Sequence, residues 1–214
     1  MRFLVALALL VVGSVLGLKP TNNKITFISS NEMKIKEVKA ILGDQSTSFP
    51  YALECQSFEL AEPQATPVEI SRSKCEEAAK LVGGPVIVDD TSLHFNALGG
   101  MPGPYIKHFY LAMGNSALSK MLDSFADRSA YAQCVVSFSA GPGEEVRTFC
   151  GIAEGTIIDS AKFSDSGGFG WDPLFIPTGF EVPFGQMPME QKNRLSHRFK
   201  ALRELKAFIN SRSE

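Results

Sequence analysis

Four short stretches of this chain carry residue types that can handle a phosphorylated, metal-bound ligand. In the first, Asp89 and Asp90 follow the apolar run Pro85-Val86-Ile87-Val88, with Gly83-Gly84 before it and Gly99-Gly100-Met101-Pro102-Gly103-Pro104-Tyr105 soon after. A short β-branched run bounded in this way predicts a buried strand that ends in two carboxylates. Acids at a strand's end face the crevice where α/β sheets place their ligands. They could hold a divalent ion, because Mg²⁺ takes hard oxygen donors and keeps waters beside one or two carboxylates. The plain alternative is a solvated strand end.

The second stretch, Ser29-Ser30-Asn31-Glu32-Met33-Lys34, reads as a strand-to-helix junction. Backbone N–H groups at a helix start, joined by hydroxyl and amide side chains, suit a phosphate. A cation such as Lys34 is disfavoured in a first turn unless an anion is near. An ordinary Asn cap with an exposed lysine is the alternative. The Gly-rich spacing and Gly-Lys-Ser/Thr ending of a Walker loop are missing. Glu62, in the loop before the next helix, and Lys74, on that helix, are unremarked by themselves.

The third, Gly167-Gly168-Phe169-Gly170-Trp171-Asp172-Pro173, sets the chain's only tryptophan among glycines that let backbone approach a ligand. A flat aromatic beside an acid could stack on a purine and hydrogen-bond it; equally, the indole could plug a core edge. The fourth, Lys192-Asn193-Arg194-Leu195-Ser196-His197-Arg198, offers Ser196 as an N-cap with His197 and Arg198 in the first turn. Cationic groups at a helix's positive end look for something anionic or electron-rich. A structural, hydrogen-bonding histidine is the competing reading.

These stretches must be positioned by elements that are legible in outline. Lys24 to Ile28 predicts a strand, followed by a helix with Ile35, Val38 and Leu42 on one face and Gly43 as its stop. A second strand falls around Tyr51 to Phe58. Thr66, Pro67 and Glu69 predict a helix opening with a capping box, whose inner stripe is Ile70, Cys75, Ala78, Ala79 and Val82. One or two helices fit between Tyr105 and Phe125. A strand pair follows, with Cys134, Val136 and Phe138 sharing a face, a turn at Gly141-Pro142-Gly143 and a return from Glu145 to Ala153. Pro173 to Pro177 predicts a short strand, and a last helix from Ser196 turns Phe199, Leu202 and Ile209 inward. Helices alternating with strands, then a hairpin, make a mixed α/β sheet.

The 214 residues suffice for one substantial domain, and 44% hydrophobic with 21% charged residues rules out a disordered chain. A net charge of -2 shows none of the basic excess expected of a nucleic-acid binder. Residues 1–18 stand apart: Met1-Arg2, an apolar run from Phe3 to Val12, then small residues, the pattern of a secretory leader rather than of a full membrane span. The remainder, 19–214, reads as a single domain. Cys55, Cys75, Cys134 and Cys150 lack the paired short spacing of zinc or redox motifs, and Cys75 and Cys134 read as buried thiols. Delivery to an oxidising lumen would leave a disulfide open.

Taken in order and spacing, Ser-x-Asn-x-x-Lys after a strand, Asp89-Asp90-Thr91 before Ala97-Leu98-Gly99-Gly100-Met101-Pro102-Gly103-Pro104-Tyr105-Ile106-Lys107, Phe169-Gly170-Trp171-Asp172-Pro173, and Ser196-His197-Arg198 resemble the inosine triphosphate pyrophosphatase family, which removes non-standard purine nucleoside triphosphates. The resemblance runs from about Lys24 to the C-terminus. It implies a long twisted mixed β-sheet flanked by helices, with two lobes around a central nucleotide cleft, usually in a homodimer. Ser29, Ser30, Asn31, Glu32, Met33 and Lys34 would hold the triphosphate. Glu62 and Asp90 would bind Mg²⁺, with Mn²⁺ able to take its place, and Asp90 would accept the proton of the attacking water. Lys74, Thr91, Lys107 and Lys192 would contact the nucleotide. Phe169, Gly170, Trp171 and Asp172 would line the base pocket, with His197 and Arg198 reading the 6-oxo edge. Ser29 stands where the family has a threonine and Ser30 where it has a glycine; the first change keeps the hydroxyl, the second bears on the tightness of the loop.

The implied reaction is hydrolysis of ITP, dITP or XTP to the monophosphate and pyrophosphate, with no nucleic-acid or stable membrane partner. Rival readings are a related nucleotide pyrophosphatase with another base preference and a non-catalytic nucleotide-binding module. The family points to the cytoplasm, the leader to an endomembrane or organelle route.

Overall fold

The computed structural model describes residues 24–43, 49–164 and 169–212; the predicted leader, 1–18, and Gly167 and Gly168 lie outside the described residues. Strand β1 (Lys24–Ile28) is buried along all but its first residue. Helix α1 (Glu32–Leu42) starts where Asn31 accepts hydrogen bonds from the Met33 and Lys34 N–H groups, and it buries Val38, Ile41 and Leu42. Strand β2 (Ala52–Gln56) is shorter than the predicted Tyr51–Phe58. Helix α2 (Pro67–Val82) opens on the reciprocal Thr66–Glu69 capping box and stops at Gly83, whose φ of 72° suits glycine.

Strand β3 runs Val86–Phe95, so Asp89 and Asp90 lie mid-strand and not at the predicted end. The reason is in the pairing. β1 runs parallel to β3 only as far as Ile28 opposite Val88, while the antiparallel partner β5 (Ser129–Ser139) continues beside β3 to Phe95. On β1's side, pairing resumes at Leu93 with the two-residue strand β4 (Pro102–Gly103). Residues 89–92 therefore border a gap in the sheet, and a mid-strand position reproduces the crevice expected of a strand end.

Helix α3 (Ile106–Lys120) is interrupted at Gly114, which answers the one-or-two-helices expectation with two pieces on either side of a kink. Strand β6 returns over Arg147–Ile157, starting later and running longer than predicted. Of the predicted Pro173–Pro177 strand, Phe175–Pro177 forms β7, and Asp172–Leu174 is a turn of 3₁₀ helix that Pro173 favours. Helix α4 (Met189–Leu195), unforeseen in the sequence, precedes α5 (His197–Asn210), where Ser196 caps the Phe199 N–H.

The result is a seven-stranded mixed sheet in the order β2-β1-β3-β5-β6-β7, with β4 attached to β3. Alternation along β3 puts Ile87, Asp89, Thr91, Leu93 and Phe95 on one face and Val86, Val88, Asp90, Ser92 and His94 on the other. The first face carries two cores. One gathers Ile25, Phe27, Val38, Ile87, Val136 and Leu202 beneath α1 and α5; the other gathers Leu93, Phe95, Ile106, Leu118, Leu174 and Phe184. At about 1.5–3 kcal/mol for each fully buried large side chain, the two cores can support the polar Asp89 and Thr91 between them. On the second face α2 packs Cys75, Ala78 and Ala79 onto Val86 and Val88. Among the described residues no helix is long and apolar enough to cross a membrane, and all four cysteines are free, Cys75 and Cys134 buried as predicted.

Candidate active site

On the second face, α2 is pinned to the sheet by Ser71, whose hydroxyl is 3.1 Å from the Val135 carbonyl oxygen and 2.7 Å from the Ser137 hydroxyl. One turn on, Lys74 projects from the same side of the helix. Its ammonium donates to Glu62 Oε1 at 2.8 Å and to Asp90 Oδ1 at 2.7 Å. Two carboxylates from separate elements thus meet on one cation. Burial opposes the charge on Lys74, but Asp90 and then Glu62 outweigh it and hold the ammonium more basic than usual. Partial burial likewise opposes ionisation of Glu62; Lys74, then Lys107 and His108, reverse that and keep its carboxyl below the ordinary range.

Glu62 and Asp90 line a pocket with Thr91, Ser92, Pro104, Tyr105 and His108. Lys107 is exposed in the first turn of α3 at the rim. Asp90 Oδ2 is buried and has no hydrogen-bond partner. An orphaned carboxylate oxygen, a second carboxylate beside it and an ammonium standing in for a cation fit a hard divalent ion such as Mg²⁺. Among the described residues no group of three or more His, Cys, Asp or Glu converges, so protein donors would come from these two acids, the usual arrangement for an ion that keeps its waters.

On the first face the charges are paired with one another. Asp89, with a fully buried side chain, receives the Lys34 ammonium at 2.5 Å and Arg198 Nε at 2.6 Å. Desolvation alone would raise its pKa; Arg198 and Lys34 drive it far below the carboxylate range. Lys34 also donates to the Asp89 carbonyl oxygen at 3.1 Å, reaching over the gap from α1. Arg198 Nη1 bonds Glu37, and Nη2 donates to Thr91 Oγ1 at 3.0 Å. Lys192 joins Glu37 at 2.8 Å to Asp172 at 2.5 Å. The adjacent acids therefore do not share a metal, as their pairing in the sequence had suggested. Strand alternation sends Asp89 to the cationic network and Asp90 to the pocket.

His197 lies between this network and a set of aromatic rings. Its ring is 5.5 Å from that of Trp171 and 6.2 Å from that of Phe184, and both its nitrogens are buried without a partner. Burial first, then Arg198 and Lys192, hold its pKa well below normal, so the ring is neutral and offers one donor and one acceptor. Trp171 is half-buried, with Phe169 and Gly170 leading into it. Around the gap the structure thus assembles Lys34, Asp89, Asp90, Thr91, Lys74 and Glu62. Phe169, Gly170, Trp171, Asp172, Lys192, His197 and Arg198 group on the first face.

At the β1–α1 junction the Ser29 hydroxyl accepts the Asn31 N–H at 3.1 Å, while Ser30 and Glu32 are exposed and Met33 is half-buried. The Asn31 cap occupies the Met33 and Lys34 N–H groups, which narrows what the helix start can offer a phosphate.

Sequence reasoning missed Glu37, the acid that links Lys192 to Arg198. A signal existed: Lys34, Glu37, Val38 and Ile41 share one helical face, so a carboxylate stands where the apolar stripe runs. Ser92, Tyr105 and His108 were missed too, and for these no local pattern distinguishes a pocket wall from ordinary strand and loop.

A model of the Ham1 family matches residues 25–208. An inosine triphosphate pyrophosphatase of Aspergillus fumigatus is 46% identical over 186 residues, covering 87% of this chain and 94% of its own length. The Ham1 protein of Staphylococcus aureus superposes with a TM-score of 0.72 at 31% identity, over 88% of this chain and 99% of that one. A nucleoside-triphosphatase, dITP/XTP pyrophosphatase, of Mycobacterium abscessus gives a TM-score of 0.65 at 26% identity, over 85% and 98%.

Proposed function

We propose that this chain, which belongs to the Ham1 family, hydrolyses non-standard purine nucleoside triphosphates to the monophosphate and pyrophosphate. One observation carries the reading at the level of chemistry: Glu62 and Asp90 converge on a single cation at the edge of a gap whose other side presents an unpartnered neutral His197 beside Trp171. The activity for which the Aspergillus fumigatus relative is named agrees with it. Carboxylates beside a triphosphate repel it unless a cation intervenes, which speaks against a purely binding module.

Glu62 and Asp90 would hold Mg²⁺, or Mn²⁺ in its place. When bound, the ion screens phosphate charge and acidifies water. Asp90 accepts the proton of the water that attacks the α-phosphorus, and the bond from that phosphorus to the bridging oxygen breaks as pyrophosphate leaves. Lys34, Lys74 and Lys107 stabilise the charge that gathers on the leaving group. The Ser29 and Ser30 hydroxyls complete the phosphate side. Phosphoryl chemistry of this kind is mainly positioning and electrostatics.

The base enters on the first face, against Trp171 and Phe169. A neutral His197 can match either a 6-oxo or a 6-amino edge by choosing its tautomer, so it does not discriminate alone. Arg198 only donates, and three of its nitrogens already hold Asp89, Glu37 and Thr91. An adenine amino group facing one of its two remaining N–H groups would leave a buried donor unpaired, at about 1–3 kcal/mol. The chain would act as a homodimer in the cytoplasm; a C-terminally tagged fusion, imaged, would distinguish that location from routing by the leader. The test of the activity is product identity: chromatography after incubation with ITP and Mg²⁺ should show IMP and pyrophosphate, and IDP with orthophosphate would overturn the reading.

A further inference from the structure

Helix α3 links the two faces of the site. Its first turn carries Lys107 and His108 to the Glu62 pocket, and its second piece is tied to the end of β6. There Ser119 Oγ donates to the Ile158 carbonyl oxygen at 2.5 Å, and Arg128 Nη2 donates to the Ser119 and Ile158 carbonyls at 3.0 and 2.7 Å. Between the pieces stands Gly114, with φ 72° and ψ 172°. A Cβ there would meet nothing within 4 Å, so the position requires glycine for its backbone and not for room. The break re-aims the next residue. Asn115 turns inward, 9% exposed, and its Nδ2 donates to the Gly170 carbonyl oxygen at 2.9 Å.

Gly170 has a φ of 56° and immediately precedes Trp171. Backbone bonds run within the segment from Asp172 N–H to Phe169 and from Leu174 N–H to Trp171, at 3.0 and 2.9 Å. Its far end, on the side of the indole away from Gly170 in the segment, is held where the Leu174 carbonyl accepts the Ile158 N–H at 2.9 Å. The bond from Asn115 reaches it from another element. We infer that Asn115 is a positioning residue for the base: by holding the Gly170 carbonyl to α3 it fixes Trp171 against His197 and so sets how tightly the purine is held. The inference rests on the reading that the base binds against Trp171 with His197 at its edge.

The only tryptophan of the chain is the one in question, so its fluorescence reports this loop without interference. Asn115→Asp keeps the volume, removes the amide donor and sets a carboxylate against the carbonyl; Asn115→Ala removes the bond without adding charge. Both should raise acrylamide quenching of Trp171 in the nucleotide-free protein. Both should raise KM for ITP, by about fivefold for one lost hydrogen bond, while kcat stays near wild type. A folded variant, judged by its thermal midpoint, that keeps wild-type quenching or wild-type KM overturns the inference. The quenching readout requires no turnover: failure of the wild-type protein to hydrolyse ITP would sink the functional reading alone, while quenching still decides whether Asn115 sets the loop.

Discussion

Asp89 and Asp90 are neighbours in the chain and face opposite sides of the sheet, the first sealed between Lys34 and Arg198, the second open to the pocket with one oxygen unpartnered. A single peptide bond therefore separates an acid buried in an ion-pair network from one that lines the pocket and is proposed to react. Because β1 ends at Ile28, opposite Val88, the sheet is open beside Asp89 and Asp90, and in the proposed reading a ligand crossing the gap would meet both faces, phosphates toward Asp90 and base toward Arg198. That geometry turns two look-alike residues into separable experiments.

Asp90→Asn should lower kcat for ITP by about 10²–10⁴-fold, the usual worth of a positioned base, with the thermal midpoint near wild type. Asp89→Asn should leave two buried cations poorly compensated and cost about 3–5 kcal/mol in urea unfolding. The opposite pattern, with Asp90→Asn active and Asp89→Asn stable, would reverse the assignment.

Glu62→Gln should keep the fold, since its side chain is 44% exposed, yet raise the Mg²⁺ concentration for half-maximal activity by about tenfold. Electron paramagnetic resonance titration with Mn²⁺ provides the same comparison without turnover. An unchanged metal requirement would remove Glu62 from the metal site.

Arg198→Lys retains the charge beside Asp89 and Glu37 but loses the planar fork. The ratio of kcat/KM for ITP over ATP should narrow by about 5- to 150-fold, matching one unpaired buried donor. If the ratio holds, base reading lies elsewhere.

Burial lowers the pKa of His197 and of His94 below the ordinary 6.5. Below that pH the unfolded chain binds protons that the folded one refuses, so stability is lost as pH falls from about 6.5, by at most about 1.36 kcal/mol per pH unit for each histidine. Glu37 and Asp89, with lowered carboxyl pKa values, add their loss only near the carboxylate range. The thermal midpoint should drop between pH 7 and 5.5, and His197→Gln should flatten the slope; an identical slope in that variant would contradict a neutral buried His197.

Local signals carried much of the fold. The Thr66–Glu69 box, the Asn31 and Ser196 caps and the alternation of Cys134, Val136 and Phe138 are decided by residues a few positions apart, and each stands as read. What escaped depends on distant partners. No local feature says that β3 continues past Asp90, because the cause is β5 pairing on one side and β1 ending on the other. Lys74 reads as an ordinary helical lysine until Ser71 and Cys75 show that it lies on the packed stripe. Glu37 becomes intelligible only when α5 brings Arg198 to it from 161 residues away.

The most direct test of the central claim is steady-state pyrophosphate release from ITP and from ATP, with Mg²⁺ and with chelator. Expected is Mg²⁺-dependent release from ITP with kcat/KM exceeding that for ATP by at least about fivefold, the least discrimination one unpaired buried donor provides. Equal rates on the two nucleotides, or release that survives chelation, would contradict it.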